Sequence, residues 1–139
     1  MADYNRPIPK AVPETQEFWD GLKQGEFRLQ RCKAGCPDVI WPPRPFCPSC
    51  GKRDVETFAG SGRGTLHSYV INHRAAPGFE DIAPYGICIV KLDEGPKLMT
   101  HVIGVDQTPE ALVLDMPVEL APTPVNDEIS LPTFRPVGG

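Results

Sequence analysis

Four of the five cysteines fall into two close pairs, and their spacing predicts a metal site. The pairs form the pattern Cys32-x3-Cys36-x10-Cys47-x2-Cys50. Four thiolates surround Zn2+ as a tetrahedron with bonds of about 2.3 Å, an arrangement that two short cysteine turns facing each other provide. Because four protein ligands leave no open position on the ion, we expect one structural Zn2+ per chain rather than a catalytic metal.

Two other uses of these cysteines fit the sequence less well. Disulfide bonds are typical of exported proteins, whereas residues 1–7 lack the basic start and apolar stretch of a secretory signal. A redox pair at Cys47 and Cys50 would need a surrounding βαβ pattern, which is missing. The spacing between Cys32 and Cys36, with three intervening residues, is one residue longer than that of the usual zinc knuckle. Cys88 lies in an apolar run and is predicted to be a core residue.

The remaining polar residues form no recognisable catalytic arrangement. No Ser/His/Asp set with local context and no phosphate loop before a helix occurs. The glycine-rich residues 60–64 precede a strand pattern, so they are interpreted as a flexible join. If the strand alternates regularly, His67 shares a face with Tyr69 and Ile71 and has a structural role. The same role is predicted for the other two histidines, His73 and His101.

Charge is distributed unevenly along the chain. Residues 1–74 hold 11 Lys/Arg against 8 Asp/Glu, and residues 75–139 hold 3 against 10. Because nucleic-acid binding depends on neutralising phosphates, the second half disfavours that function. Anionic groups would be bound by arginines of the first half, among them Arg44, Arg63 and Arg74. The loop 74–85 adds Phe79 and Tyr85, either as a lid over a barrel or as a partner-facing loop.

Short elements are predicted to position these residues. A helix is expected to begin at Pro13, with Phe18, Trp19 and Leu22 on the face that docks on the core. Strands are predicted at residues 26–31, 64–73, 86–92, 97–103 and 117–121, with an edge strand at 131–135 and a helical turn at 108–112. The last five strands match a five-stranded barrel of the OB type. No apolar run approaches the roughly 18 residues of a membrane span.

The sequence resembles a family of small zinc-ribbon plus OB-fold proteins that accompany thiolase-type acyl-CoA enzymes, first catalogued as a domain of unknown function. The resemblance covers residues 18–136. It is carried by residues 18–22 (Phe-Trp-Asp-Gly-Leu), 29–32 (Leu-Gln-Arg-Cys), 42–51 (Pro-Pro-Arg-Pro-Phe-Cys-Pro-Ser-Cys-Gly), 61–66 (Ser-Gly-Arg-Gly-Thr-Leu), 84–85, 92–96 and 131–136.

The resemblance implies a mostly β fold of three parts. These are an N-terminal arm with a short helix (1–30), a rubredoxin-like zinc ribbon (31–60), and a five-stranded OB barrel with a C-terminal tail (61–139). Cys32, Cys47 and Cys50 carry over as zinc ligands, and Cys36 matches when one extra residue is allowed.

The resemblance also implies a function. We expect a cytoplasmic subunit that is not an enzyme on its own and that partners a thiolase-fold or lipid-transfer-protein-like enzyme. The partner would be a thiolase, an acyltransferase or a retro-aldol lyase, acting on an acyl-CoA such as a steroid side chain. This chain would stabilise it and help to shape the CoA channel. The candidate residues for contact with CoA or the partner are then Arg44, Arg63, Arg74, Phe79 and Tyr85. The alternatives are a single-strand nucleic-acid binder using the OB barrel and a free-standing acyl-CoA-binding protein or thioesterase.

Overall fold

The computed structural model describes residues 6–138. A 3-10 turn at Pro13–Thr15 leads into helix α1, Gln16–Lys23. Proline suits this first turn because it has no N–H to leave unpaired and its φ is already helical. The helix buries Phe18 and Leu22, and Trp19 packs against the core while remaining partly exposed, so all three contact the core as the sequence predicts. It is followed by Gly25, whose φ of 80° ends the helical path.

A small antiparallel sheet follows the helix. Its strands lie in the order β2-β1-β3 and are β1 (Arg28–Cys32), β2 (Val39–Ile40) and β3 (Val55–Ala59). In the register, Cys32 lies opposite Val55, so the first cysteine sits where β1 leaves the sheet. The sequence analysis assigned no strand to residues 55–59; β3 was therefore missed, although Val, Thr and Phe in this stretch favour strands.

The second sheet forms the barrel. Its strands lie in the order β10-β7-β4-β5-β6 and are β4 (Arg63–Asn72), β5 (Tyr85–Leu92), β6 (Lys97–Thr100), β7 (Pro117–Leu120) and β10 (Phe134–Pro136). A parallel bridge between Val102 and Phe134 connects the two ends of this sheet. The mostly β fold with one short helix, a ribbon and an OB barrel is thus confirmed.

The predicted last strand, 131–135, divides into two elements. Its first residue lies in β9 (Ser130–Leu131), which pairs with β8 (Thr123–Pro124) in a separate hairpin. The side-chain oxygen of Asn126 closes this hairpin by accepting the N–H groups of Glu128 and Ile129. Strand β10 stands at the end of the sheet order next to β7, as the predicted edge strand does, but is displaced toward the C-terminus. Its Phe134 also bridges Val102, so this edge of the sheet is partly closed.

A β-bulge in β4 changes which residues face the core. The register with β5 shifts between Leu66 and Ser68, so His67 is an extra residue. Leu66 is fully buried, and Tyr69 and Ile71 pack against the core. His67 is exposed. The prediction that His67 shares a face with Tyr69 and Ile71 is therefore wrong, because a bulge adds one residue to the two-residue period of the strand.

The main hydrophobic core joins the helix, the ribbon sheet and the barrel. Phe27, just before β1, is almost fully buried between rings from three regions. Its ring centre lies 5.2 Å from that of Phe18 in α1, 5.0 Å from Trp41 after β2, and 6.1 Å from Phe134 in β10. The helix, the ribbon sheet and the barrel therefore share one aromatic cluster, Phe18, Phe27, Trp41 and Phe134.

The join between ribbon and barrel is held by hydrogen bonds rather than being a loose linker. The N–H of Gly60 donates to the carbonyl oxygen of Phe27 at 2.8 Å, and the N–H of Ser61 donates to a carboxylate oxygen of Glu94 at 2.6 Å. Gly62 has a φ of 72°, which favours glycine. Within residues 6–138, the structure has no helix long and apolar enough to cross a membrane.

Candidate metal centre and apolar cleft

The structure brings the Sγ atoms of Cys32, Cys36, Cys47 and Cys50 together. All four lie within 4.8 Å of one another, and those of Cys32 and Cys50 are 3.7 Å apart. In a tetrahedron with metal–sulfur bonds of about 2.3 Å, the sulfurs are separated by about 3.8 Å. The donor set and its spacing therefore fit a structural Zn2+ with four protein ligands.

Local backbone geometry aims the sulfurs at a common point. At the first turn, Gly35 adopts a φ of 109°, and the N–H of Ala34 points to the Cys32 Sγ at 3.3 Å. The positive φ at glycine lets the turn accommodate its third intervening residue. At the second turn, the N–H of Gly51 donates to the carbonyl oxygen of Cys47 at 2.8 Å. Both turns thus close tightly despite their unequal lengths.

The surroundings of the thiols favour a thiolate at one position. Hydrogen bonds from the backbone N–H groups of Cys50 and Ser49 lower the pKa of Cys47 to about 7. Hydrogen bonding with the side chains of Cys50 and Cys47 raises the pKa of Cys36 to about 12. Because the thiolate is the form that binds a metal, the Cys47 turn is arranged for a ligand.

The same distances argue against a disulfide among these residues. All five cysteines are free, whereas a disulfide requires sulfurs about 2.05 Å apart. Only Cys32, Ile40 and Cys47 are buried in the small cluster around the site, with Val55 packed against it. A cluster this small needs another source of stability, which a metal held by the four cysteines would supply. Cys88 lies apart in the barrel core, where burial raises its pKa, confirming it as a core residue.

An apolar cleft lies at one end of the barrel. Two adjoining cavities of about 470 and 370 Å³ share the residues Phe79, Tyr85, His101, Leu131 and Thr133. The loop between β4 and β5 forms one wall, and the β8–β9 hairpin forms another. No carboxylate, cysteine or serine lines either cavity among the described residues.

The loop 74–85 is fixed against the barrel by aromatic contacts. The ring of Phe79 stacks on that of Tyr85 with centres 5.3 Å apart, and the Tyr85 hydroxyl accepts a hydrogen bond from Asn72 at 2.9 Å. From the N-terminal arm, the guanidinium of Arg6 lies over the Phe79 ring and pairs with Asp81 at 2.6 Å. The two predicted contact residues therefore build the wall of the cleft.

His101 is the polar group that the sequence analysis did not single out for this site. Its Nδ1 lies 2.9 Å from the carbonyl oxygen of Gly86, which can only accept a hydrogen bond, so Nδ1 carries the proton. Its ring meets that of Tyr85 edge-on, with centres 5.8 Å apart. The sequence indicated only that His101 belongs to the alternating stretch 97–103. Its position beside Phe79 and Leu131 depends on the closure of the barrel, which the sequence does not show.

The three predicted arginines do not converge on one site. Arg44 is exposed in the ribbon, where its backbone N–H donates to the side-chain oxygen of Gln30. Arg63 begins β4, and Arg74 lies just beyond its other end, so about 30 Å of strand separates them. Of the three, Arg74 is the one that begins the loop of the cleft. Any role of these residues with CoA or a partner stays a prediction.

Comparison with known proteins follows the two structural parts. A family model described as the rubredoxin-like zinc ribbon domain of ChsH2 matches residues 19–56, and one described as the C-terminal OB-fold domain of ChsH2 matches residues 59–122. A DUF35 domain-containing scaffold protein of Pyrococcus furiosus is 32% identical over 107 residues, which cover 77% of this chain and 76% of that protein. The chain belongs to the DUF35 family.

Two further relatives of this DUF35 protein are informative. A chain of the solved structure named Ltp2-ChsH2(DUF35) aldolase is 35% identical, with a TM-score of 0.78 over 93% of this chain and 98% of that chain. A probable enoyl-CoA hydratase alpha subunit of Thermomonospora curvata is 38% identical over 133 residues, covering 94% of this chain. The chain spans only 40% of the length of that hydratase subunit.

Proposed function

We propose that this DUF35 protein is a non-catalytic or co-catalytic subunit that docks on a thiolase-fold enzyme acting on acyl-CoA. The observation that carries the proposal is the structural match, over nearly the full length of both chains, to the DUF35 chain of an aldolase named as a two-component assembly. The name of the Thermomonospora hydratase subunit independently supports an acyl-CoA substrate. A retro-aldol or related carbon–carbon reaction on a bulky acyl chain, such as a steroid side chain, is the finer form of this proposal.

The side chains that line the cleft are better suited to an accessory role for this chain than to catalysis by this chain alone. Nucleophilic or acid–base chemistry requires a nucleophile and a base within hydrogen-bond reach, and often a group that orients the base. In the described part of the chain, His101 enters the cleft without a lining serine, cysteine or carboxylate. Under this proposal, the partner supplies the nucleophile and the acid–base groups.

The cleft would serve the complex as part of the wall of the substrate channel. Its lining of Phe79, Ile82, Tyr85 and Leu131 is suited to an apolar acyl chain. Arg74, which is exposed at the start of the same loop, is the residue that we propose for binding an anionic group of the substrate. The zinc ribbon would act in stability, because a four-cysteine site leaves no position for substrate.

Co-purification tests the proposal. The affinity-tagged chain is expressed in its native host, and the proteins recovered with it are identified by mass spectrometry and assayed for acyl-CoA cleavage or condensation. We expect a thiolase-fold enzyme at a fixed stoichiometry, with activity that the complex has and neither part has alone. Recovery of nucleic acid without such an enzyme would refute the proposal. Hydrolysis of acyl-CoA by the purified chain alone would establish the thioesterase alternative instead.

A further inference from the structure

The outer face of the barrel carries an aliphatic stripe where a solvated sheet face is normally polar. We define the apolar stripe as Val70, Ile87, Ile89 and Met99. Val70 lies opposite Ile87 in the β4–β5 register, and Ile89 lies opposite Met99 in the β5–β6 register, so the four side chains share one face. Val70 is 57% exposed and Met99 is 70% exposed.

The position of the stripe matches the recognition surface of OB folds. Such barrels bind their ligands on the face of the second and third strands, between the loop joining the first two strands and the loop joining the last two. Here those strands are β5 and β6. Ile87 and Met99 belong to the stripe and also line the cleft beside Phe79 and Pro132, so stripe and cleft form one continuous surface.

Two lysines border the end of the stripe farther from the cleft. Lys91 lies opposite Lys97 in the β5–β6 register, one position beyond the Ile89 and Met99 level on the same face. Residues 75–139 contain three basic residues against ten acidic ones, and two of the three are this pair. Neither forms an ion pair within residues 6–138.

We propose that the apolar stripe with Lys91 and Lys97 is the surface on which the partner enzyme docks. The inference rests on the proposed function. The partner's contact surface would be aliphatic at its centre and would carry carboxylates opposite the lysine pair. An oligonucleotide would need stacked aromatic rings along a basic groove, whereas all four stripe residues are aliphatic. Aliphatic side chains with a bordering charge pair fit the desolvated centre and charged rim of a protein interface.

The experiment compares glutamate substitutions on and off the stripe. The dissociation constants of the Met99→Glu and Val70→Glu variants are measured with the thiolase-fold enzyme that co-purifies with the wild-type chain. Leu114→Glu is the matched control, since Leu114 is also aliphatic and 55% exposed but lies in the loop before β7. All three sites are exposed, so folding is expected to persist, and circular dichroism melting verifies it. We expect each stripe variant to raise the dissociation constant at least tenfold and the control to change it less than twofold.

A double variant tests the charged end. Lys91→Glu with Lys97→Glu is expected to slow association and to reduce its dependence on salt, because charge pairs at an interface rim act mainly on the association rate. Binding of both stripe variants at wild-type strength would overturn the inference while leaving the proposed function intact. Loss of self-association without loss of enzyme binding would also overturn it, assigning the stripe to a second copy. A wild-type chain that binds no thiolase-fold enzyme would instead overturn the proposed function.

Discussion

Phe27 provides the sharpest test of how the parts of this protein are held together. The residue is 1% exposed and contacts rings in the helix, the ribbon and the barrel. Truncating a buried phenylalanine to alanine costs about 3–5 kcal/mol, and aromatic pairs add about 0.5–1.5 kcal/mol each beyond buried area. With three such pairs, Phe27→Ala is expected at the upper end, about 4–5 kcal/mol.

This loss is a large part of the roughly 5–15 kcal/mol that stabilises a typical domain. Urea unfolding in saturating zinc measures it, with tryptophan fluorescence as the probe because Trp41 is 5.0 Å from Phe27. Phe27→Leu, which keeps much of the bulk, is expected to cost about 1–2 kcal/mol and covers the case in which the alanine variant does not fold. Phe46→Ala is the matched control, since Phe46 is 38% exposed, and should change stability by less than about 0.5 kcal/mol.

Two results would refute this reasoning. A Phe27→Ala variant that loses less than about 1 kcal/mol would mean that the site collapses around the cavity or that the ring contacts contribute little. Separate unfolding transitions for ribbon and barrel in the wild-type chain would mean that the aromatic cluster does not make them one cooperative unit.

Three further predictions concern the metal and the barrel. Cys47→Ser is expected to lose zinc and to unfold part of the ribbon, whereas the control Cys88→Ala is expected to keep one zinc per chain. Metal analysis of the purified proteins measures both, and a full zinc content in the Cys47 variant would exclude Cys47 as a ligand. Zinc release, followed with a colorimetric chelator, should increase as pH falls, because protons compete for the thiolates; release that is independent of pH would contradict thiolate ligation. Gly64→Ala should destabilise the barrel by about 1–3 kcal/mol in thermal melts, because the new Cβ would collide with the carbonyl oxygen of Lys91. The neighbouring control Thr65→Ala should destabilise it less. Equal destabilisation by the two variants would show that the backbone moves to accommodate the Cβ at residue 64.

Local patterns were sufficient to predict the barrel strands but not their exceptions. The β-branched and apolar residues of 86–92 predict a strand, and β5 follows that prediction. The bulge at His67 could not be predicted in this way, because its cause is the pairing with β5 and not the sequence of β4. The β8–β9 hairpin was missed because its strands have two residues each and β8 contains a proline, although the turn residue Asn126 is a recognisable signal.

The functional surfaces divide in the same way. The four cysteines could be found from spacing alone, because each pair is local and the ligand chemistry restricts the choice. The cleft could not be found from the sequence, because Phe79, His101 and Leu131 come from three separate segments that only the fold brings together. The apolar stripe was equally hidden, because Val70, Ile87 and Met99 look like core residues until the register shows that their neighbours Tyr69, Cys88 and Leu98 already fill the core.

The four-cysteine site has no open position for catalysis, but packing contacts and hydrogen bonds link it to the cleft that adjoins the proposed docking surface. Strand β1 begins next to Phe27 and ends at Cys32, so it extends from the aromatic cluster to the metal site. Phe27 packs on Phe134, whose N–H donates to the carbonyl oxygen of His101 in the cleft. The zinc ribbon and the cleft are therefore two ends of one continuous set of packed and hydrogen-bonded residues. In the role that we propose, the chain presents a shaped surface and needs rigidity more than reactivity. A metal held by the four cysteines would contribute that rigidity without occupying the barrel face.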